Sequence, residues 1–292
     1  MKRRILHLFS GGLDSILSYK ILERAGHDVT AICFETPFFP SAKSVEYGDK
    51  NKIKVRVLNI FKEYVYMLAR PKYGYGKNLN PCIDCKAMMI NKACRIAIDE
   101  GYDFVSTGEV LGQRPMSQTK GGFIKQKKLL EHPEMVIRVL SREDGENNLE
   151  GMKRIEIVGR ERAAQMKMSE EIGITEYQTP SGGCFLTYKE FSLKAKVLLK
   201  KNLTEERYFY MIKEGRFKEY SCGVAVIGRC EEDNEKLLSR RNGEVCYQVI
   251  DGKGPVGIVL GKLNDEEEND LKETLLKYSK RDINEKDSIH PV

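Results

Sequence analysis

The sequence predicts an α/β fold with a doubly wound parallel sheet over residues 1–184, followed by a small α+β module over residues 185–292. Three observations carry this. Short apolar runs alternate with amphipathic stretches through the first part, in a strand–helix–strand rhythm. After Thr179-Pro180-Ser181-Gly182-Gly183-Cys184 the rhythm is lost, and short strands split by glycines and charged turns replace it. The length of 292 residues also suits two domains of about 150 residues each.

Ile5, Leu6, Leu8 and Phe9 make residues 5–9 a short buried strand. Residues 13–25 read as a helix, with Ile16, Leu17, Ile21 and Leu22 at helical spacing and Gly26 where a helix C-terminus favours glycine. Residues 29–34, 53–58 and 104–108 supply three further strands, the last preceded by a helix over 86–100. Residues 159–172 are helical again. In the second part, residues 191–199 and 265–279 are helices, and 223–228, 245–250 and 255–260 are strands. The boundary falls between Cys184 and Tyr188, and the last ten residues, being polar, are expected to be disordered.

Hydrophobic residues at 41% and charged residues at 32% describe a soluble globular chain, which excludes fibrous and disordered classes. No run approaches eighteen apolar residues, which excludes a transmembrane helix. The apolar N-terminal run stops at Ser10-Gly11-Gly12, too short for a secretion signal, so a cytoplasmic location is expected. Eight cysteines in such a chain point to metal binding or thiol chemistry rather than to disulfides. From Phe185 onward the charges balance, so the whole net charge of +6 lies in the first 184 residues. A polyanionic partner is therefore expected to dock there.

The segment Ser10-Gly11-Gly12-Leu13-Asp14-Ser15 lies between the first strand and the first helix, where an open α/β sheet turns backbone amides toward an anion. Gly11 and Gly12 let the backbone approach a phosphate, and Ser10 and Ser15 add hydroxyls. Asp14 fits a phosphate cradle only if a magnesium ion bridges it to the ligand. The plain structural reading is a glycine turn capped by Ser10 or Asp14.

Cys82 and Cys85 stand three apart at a predicted helix start beside Lys86, a setting that favours their thiolates. Such a pair chelates zinc, holds an iron–sulfur cluster or cycles as a dithiol. Cys184, in a Gly-Gly-Cys turn, supplies a distant third thiol. Three ligands suit a [4Fe–4S] cluster with one open iron, whereas structural zinc needs a fourth ligand that no motif supplies. Cys94 reads as core, Cys33 as core or as a wall of an adenine pocket, and Cys222, Cys230 and Cys246 as packing residues.

The string at residues 10–15 resembles the signature of the PP-loop ATP pyrophosphatases, a Rossmann-like superfamily that splits ATP between its α- and β-phosphates. Asn80-Pro81-Cys82-Ile83-Asp84-Cys85 resembles the segment carrying the first catalytic cysteine of tRNA 2-thiouridylases. Many of those enzymes have aspartate where Cys82 stands, and the change brings this chain nearer to their iron–sulfur type. Ser106-Thr107-Gly108-Glu109 is similar to a second ATP-contacting segment that commonly reads Thr-Gly-His, and residues 112–118 then edge the ATP site. Residues 215–229 and 254–261 resemble an NFACT-R-type RNA-associated module.

The resemblance implies an ATP-dependent tRNA sulfurtransferase that adenylates a uridine carbonyl and replaces its oxygen with sulfur. Asp14, Cys82, Cys85 and Cys184 are then the catalytic candidates. Ser10, Gly11, Gly12, Asp14, Ser15, Cys33, Thr107 and Gly108 are the cofactor contacts. The implied cofactors are ATP, Mg2+ and a [4Fe–4S] cluster held by the three cysteines, with zinc or a cysteine persulfide as alternatives. The implied partners are tRNA and a sulfur donor, either sulfide or a persulfide-carrying protein, with a homodimer allowed and no membrane. Lys120, Lys125, Lys127, Lys128, Arg138, Arg142, Lys153 and Arg154 form a candidate RNA track, and Tyr73 and Tyr75 are candidate base-stacking rings. Two rival readings are a PP-loop enzyme acting on a small molecule and a non-catalytic RNA-binding protein with structural zinc.

Overall fold

The computed structural model describes residues 1–141, 149, 155–179, 183–249, 254–279 and 289–291. They fall into two compact units, Met1–Cys184 and Phe185–Val292.

The first unit runs β1 (Arg4–Leu8), α1 (Leu13–Arg24), β2 (Asp28–Glu35), α2 (Ala42–Lys50), β3 (Val55–Asn59), α3 (Phe61–Ala69), α4 (Cys82–Glu100), β4 (Phe104–Thr107), α5 (Lys120–Lys127), β5 (Val136–Arg138) and α6 (Ala163–Ile172). The strands form one parallel sheet in the order β3-β2-β1-β4-β5. Ile5 and Leu6 of β1 are fully buried, as a central parallel strand covered on both faces requires. Ile16, Leu17 and Leu22 of α1 pack with Ile5, Ala31 and Ile137 in the core on one side of the sheet. Gly26, at φ +86°, lets the chain leave α1 and return to β2.

Strand order reverses at β1, whose neighbours are β2 on one side and β4 on the other. The loops after β1 and β4 therefore diverge at the carboxyl ends of the strands and open the crevice where such sheets bind ligands.

Four elements of this unit have weak sequence signals: α2, α3, α5 and the three-residue β5. The buried residues of α2 are Ser44 and Gly48, small polar or achiral positions that leave no hydrophobic stripe. Helix α4 starts at Cys82 rather than at 86, so both cysteines lie in its first turn. Helix α6 starts at Ala163, after Gly159 at φ +101°.

The second unit runs α7 (Lys189–Lys200), α8 (Glu206–Glu214), β6 (Arg216–Glu219), β7 (Gly223–Ile227), α9 (Glu231–Arg240), β8 (Cys246–Val249), β9 (Gly257–Gly261), α10 (Asp265–Ser279) and β10 (Ile289–Pro291). Its sheet is antiparallel, in the order β10-β8-β9-β7-β6. Leu271, Leu275 and Leu276 of α10 pack on Ala225, Ile227, Val249 and Val259. Contrary to the expected disorder of the terminus, Ile289 to Pro291 pair with Val249 to Tyr247, because β8 offers them an unpaired edge. Cys246 is buried as expected, but Cys222 and Cys230 are exposed and do not pack.

Candidate active site

Residues 10–15 connect β1 to α1 at the strand-order reversal. Gly11 adopts φ +71°, and a Cβ there would meet Ser44 Cα of α2 at 3.0 Å, so both its conformation and its neighbour require glycine. At Gly12 a Cβ would meet only Ser10 Oγ at 3.6 Å, so the fold leaves space over the loop. Gly12 is the N-cap of α1 and no side chain caps the helix, which contradicts the Ser10 or Asp14 cap of the plain reading. Ser15 N turns back to Gly12 O (3.1 Å), and the Leu13 and Asp14 amides are left for another acceptor. Ser15 is buried; its Oγ donates to Gly12 O (2.9 Å) and accepts from Ser10 N (3.2 Å), bracing the loop from within.

Two contacts hold the loop from below. A Cβ at Gly108, just beyond β4, would lie 2.6 Å from Asp14 O and 2.9 Å from Ser15 N, so only glycine lets these backbones meet. His7 of β1 is fully buried; its Nε2–H donates to Ser15 O (2.9 Å), leaving Nδ1 to accept the Ser106 hydroxyl (2.8 Å). Burial pushes His7 down to about 4, outweighing the Ser15 carbonyl bond that favours the charged ring. The neutral ring is stabilising above pH 6.5, and the contribution is lost as pH falls toward 4. The loss amounts to roughly 3 kcal/mol. Urea midpoints measured across this window should fall in the wild type, and His7→Gln should lose that part of the slope. Equal slopes in both proteins would refute the assignment.

Asp14, on the first turn of α1, accepts from Gln113 Nε2 at 2.9 Å. Burial raises its carboxyl above the ordinary range, against the opposing pull of Gln113, Arg162, Arg114 and Gln165. Its Oδ1 is buried without a hydrogen-bond partner. A lone carboxylate oxygen beside a phosphate cradle fits Mg2+, which takes one or two carboxylates and completes its shell with substrate phosphates.

The thiol side lies on α3 and α4. Tyr64 of α3 is 0% exposed, and its hydroxyl faces the Cys85 thiol, with Cys184 and Cys82 also close enough to act on it. The three cysteines separated in sequence thus gather about one phenol. Burial raises the Cys85 thiol to about 12 and the Cys82 thiol above its ordinary value. This corrects the expected thiolates: desolvation in the first turn of α4 exceeds the pull of Lys86 and the helix end. Among the described residues no group of three His, Cys, Asp or Glu side chains is arranged to hold a metal ion. Cys82, Cys85 and Cys184 therefore do not form a preformed site for the expected [4Fe–4S] cluster. The positive charge of Arg114 opposes the burial-driven rise of both the Asp14 carboxyl and the Cys82 thiol.

A family model described as thiamine biosynthesis protein (ThiI) matches residues 1–122. The tRNA-specific 2-thiouridylase MnmA of Sulfurimonas denitrificans is 29% identical over 121 residues, 38% of this chain and 36% of that protein. MnmA of Clostridioides difficile is 22% identical over 284 residues, 90% and 71% of the two chains. A probable tRNA sulfurtransferase of Clostridium acetobutylicum is 27% identical over 135 residues, 44% of this chain and 34% of that protein. The family match lies within the N-terminal unit, and together with these relatives it supports kinship with the PP-loop tRNA-thiolating superfamily. The first and last of these matches span about a third of the length of the relative concerned.

Several positions around the PP-loop differ from what the superfamily pattern implies. Glu109, where histidine is common, is 2% exposed and lies with Oε2 at 3.6 Å from Nε of the equally buried Arg138. Arg138 also lies over the Phe123 ring, at 4.2 Å. That burial corrects its place in the RNA track: Arg138 is a core cation, not a phosphate contact. Lys120, Lys125, Lys127 and Lys128 are exposed on and beside α5, while Arg142, Lys153 and Arg154 lie outside the described residues. Cys33 is buried in β2 with Sγ against Phe34 O, and Thr107 Oγ1 accepts from Glu109 N. Tyr75 is 41% exposed, its hydroxyl donating to Leu68 O, and Tyr73 is tied through its backbone N–H to Asp84. Tyr64, Arg162 and Gln165 escaped the sequence reading because none belongs to a local motif.

Proposed function

We propose that this protein is an ATP-dependent tRNA sulfurtransferase that converts a uridine carbonyl to a thiocarbonyl. What supports the reading is the charge of Arg114, which acts on both the Asp14 carboxyl of the loop and the Cys82 thiol, in a unit where Cys82, Cys85 and Cys184 all act on the Tyr64 phenol. The matched relatives named as tRNA-thiolating enzymes support the substrate class. No helix among the described residues is long and apolar enough to cross a membrane.

In this mechanism residues 10–15 and the N-terminus of α1 cradle the ATP phosphates, and Asp14 would hold a Mg2+ ion that would neutralise part of their charge. The uridine carbonyl oxygen attacks the α-phosphorus, the bond to the β-phosphate oxygen breaks, and pyrophosphate leaves. Adenylation makes that oxygen part of a good leaving group. Sulfide then attacks the activated carbon directly, or the terminal sulfur of a persulfide on one of Cys82, Cys85 and Cys184 attacks it. In the second case another of these thiols attacks the cysteine-bound sulfur, the S–S bond to the transferred sulfur breaks, and the resulting disulfide is reopened by an external dithiol reductant. The carbon–oxygen bond breaks and AMP departs with the oxygen. Burial keeps the Cys85 thiol protonated at neutral pH, so that residue protects sulfur until substrate binding changes its surroundings.

The test is anaerobic incubation of the full chain with Mg·ATP, sulfide and unmodified tRNA, followed by nucleoside mass spectrometry. Thiouridine that depends on ATP is the expected product. AMP formed equally without RNA would overturn the tRNA assignment and favour a small-molecule acceptor.

A further inference from the structure

The PP-loop has a second wall that no motif announces. Helix α6 begins at Ala163, with Arg162 as its N-cap and no side-chain cap. Its position is set by several independent contacts. Gln178 N donates to Gly11 O (2.9 Å), residue 178 bridges to Gly12, and an Arg24 guanidinium N–H donates to Ile172 O (2.7 Å). Arg162 also lies 5.9 Å from the centre of the Tyr177 ring, in the strand-like segment that pairs with the loop.

Gln165, in the first turn of α6, is 0% exposed, and neither its amide oxygen nor its amide nitrogen has a hydrogen-bond partner. Arg162 Nε and Asp14 Oδ1 are likewise buried and unpartnered. The Gln165 side chain reaches toward the Asp14 carboxylate and the Arg162 charge acts on the same group, each opposing the burial-driven rise of its pKa. Buried polar atoms are almost always paired, so several orphans turned toward one carboxylate mark a place where a polar ligand completes the set. The available donors are a guanidinium N–H, an amide NH2 and the uncapped amides of a helix start, which together suit phosphate oxygens. The unpaired acceptors, Asp14 Oδ1 and Gln165 Oε1, suit the cation that accompanies them.

Orientation follows from the backbone: the segment after α6 pairs with Gly11 and Gly12 of the loop, whereas Cys82 and Cys85 open α4, so α6 stands on the phosphate side of the loop and not on the thiol side. We propose that Arg162 and Gln165, with the N-terminal turn of α6, form a second polyphosphate wall that grips the β- and γ-phosphates opposite the PP-loop. The proposal rests on the adenylating reading and deepens it. It makes α6 the element that distinguishes ATP and pyrophosphate from AMP, holding the leaving group while the adenylated base stays beside the thiols.

Binding alone tests this, without turnover. Mg·ATP, Mg·pyrophosphate and AMP are titrated calorimetrically into the full chain and into Arg162→Ala and Gln165→Leu. Each variant should weaken ATP and pyrophosphate about tenfold or more, the usual effect of losing a hydrogen bond to a charged group, and leave AMP unchanged. A folded variant that binds ATP as the wild type does, or that weakens AMP equally, overturns the second wall alone. A wild-type protein that binds no ATP overturns both this proposal and the adenylating reading.

Discussion

Cys184→Ala should abolish thiouridine formation, by on the order of a thousandfold or more, while leaving Mg·ATP affinity unchanged. The expectation follows from the division of the site. In the proposed mechanism residues 10–15 hold the nucleotide, and none of the contacts that brace this loop from β1 and β4 involves a thiol. Cys184 instead approaches the Tyr64 phenol together with Cys85 and Cys82. Removing one thiol of a sulfur-carrying set removes the nucleophile or the group that releases it, and neighbouring side chains cannot replace that covalent step. Cys222→Ala is the control, since Cys222 is an exposed thiol of the other unit. Nucleoside mass spectrometry gives the thiolation readout and calorimetry the ATP affinity. Thiouridine made by Cys184→Ala at the wild-type rate would remove the cysteine cluster from the mechanism.

Asp14→Asn should lower AMP release by about a hundredfold to a thousandfold and at the same time stabilise the ligand-free protein. The two signs have one cause. Burial raises the Asp14 carboxyl pKa, so its charge costs the folded protein stability at neutral pH, and a neutral amide of the same shape removes that cost. The Gln113 side chain at 2.9 Å can turn to serve asparagine as it serves aspartate. The cation is the one partner that asparagine cannot hold as aspartate does. Urea unfolding should therefore show a higher midpoint for the variant. A lower midpoint with normal AMP release would make Asp14 a structural residue and end its assignment to Mg2+.

What could be read along the chain was whatever local chemistry dictates. Ile5, Leu6 and the glycines of residues 10–15 declare a buried strand, a tight turn and a helix within about twenty residues, and the parallel sheet follows from repeats of that unit. Cysteine spacing at 82 and 85 is likewise a local fact. Local chemistry misleads where a long-range neighbour sets the outcome. The thiols of α4 were expected to ionise because Lys86 and the helix start are adjacent in sequence. Packing against α3 and the buried phenol of Tyr64 reverses that. Arg138 looked like one more surface cation in a basic run, yet the carboxylate of Glu109, twenty-nine positions earlier, draws it into the core.

The sequence by itself determined the doubly wound class of the first unit, the place of the phosphate loop and the pairing of Cys82 with Cys85, because each depends on residues within one or two turns of chain. Only the tertiary structure decided which groups face one another across that loop. Gly108 pressed on Asp14, Tyr64 set among three cysteines, Arg114 acting on both the loop and a thiol, and Gln165 buried opposite Asp14 all come from different elements. Burial and close approach are properties of packed neighbours, and they set the charge state of a side chain more strongly than its sequence position does.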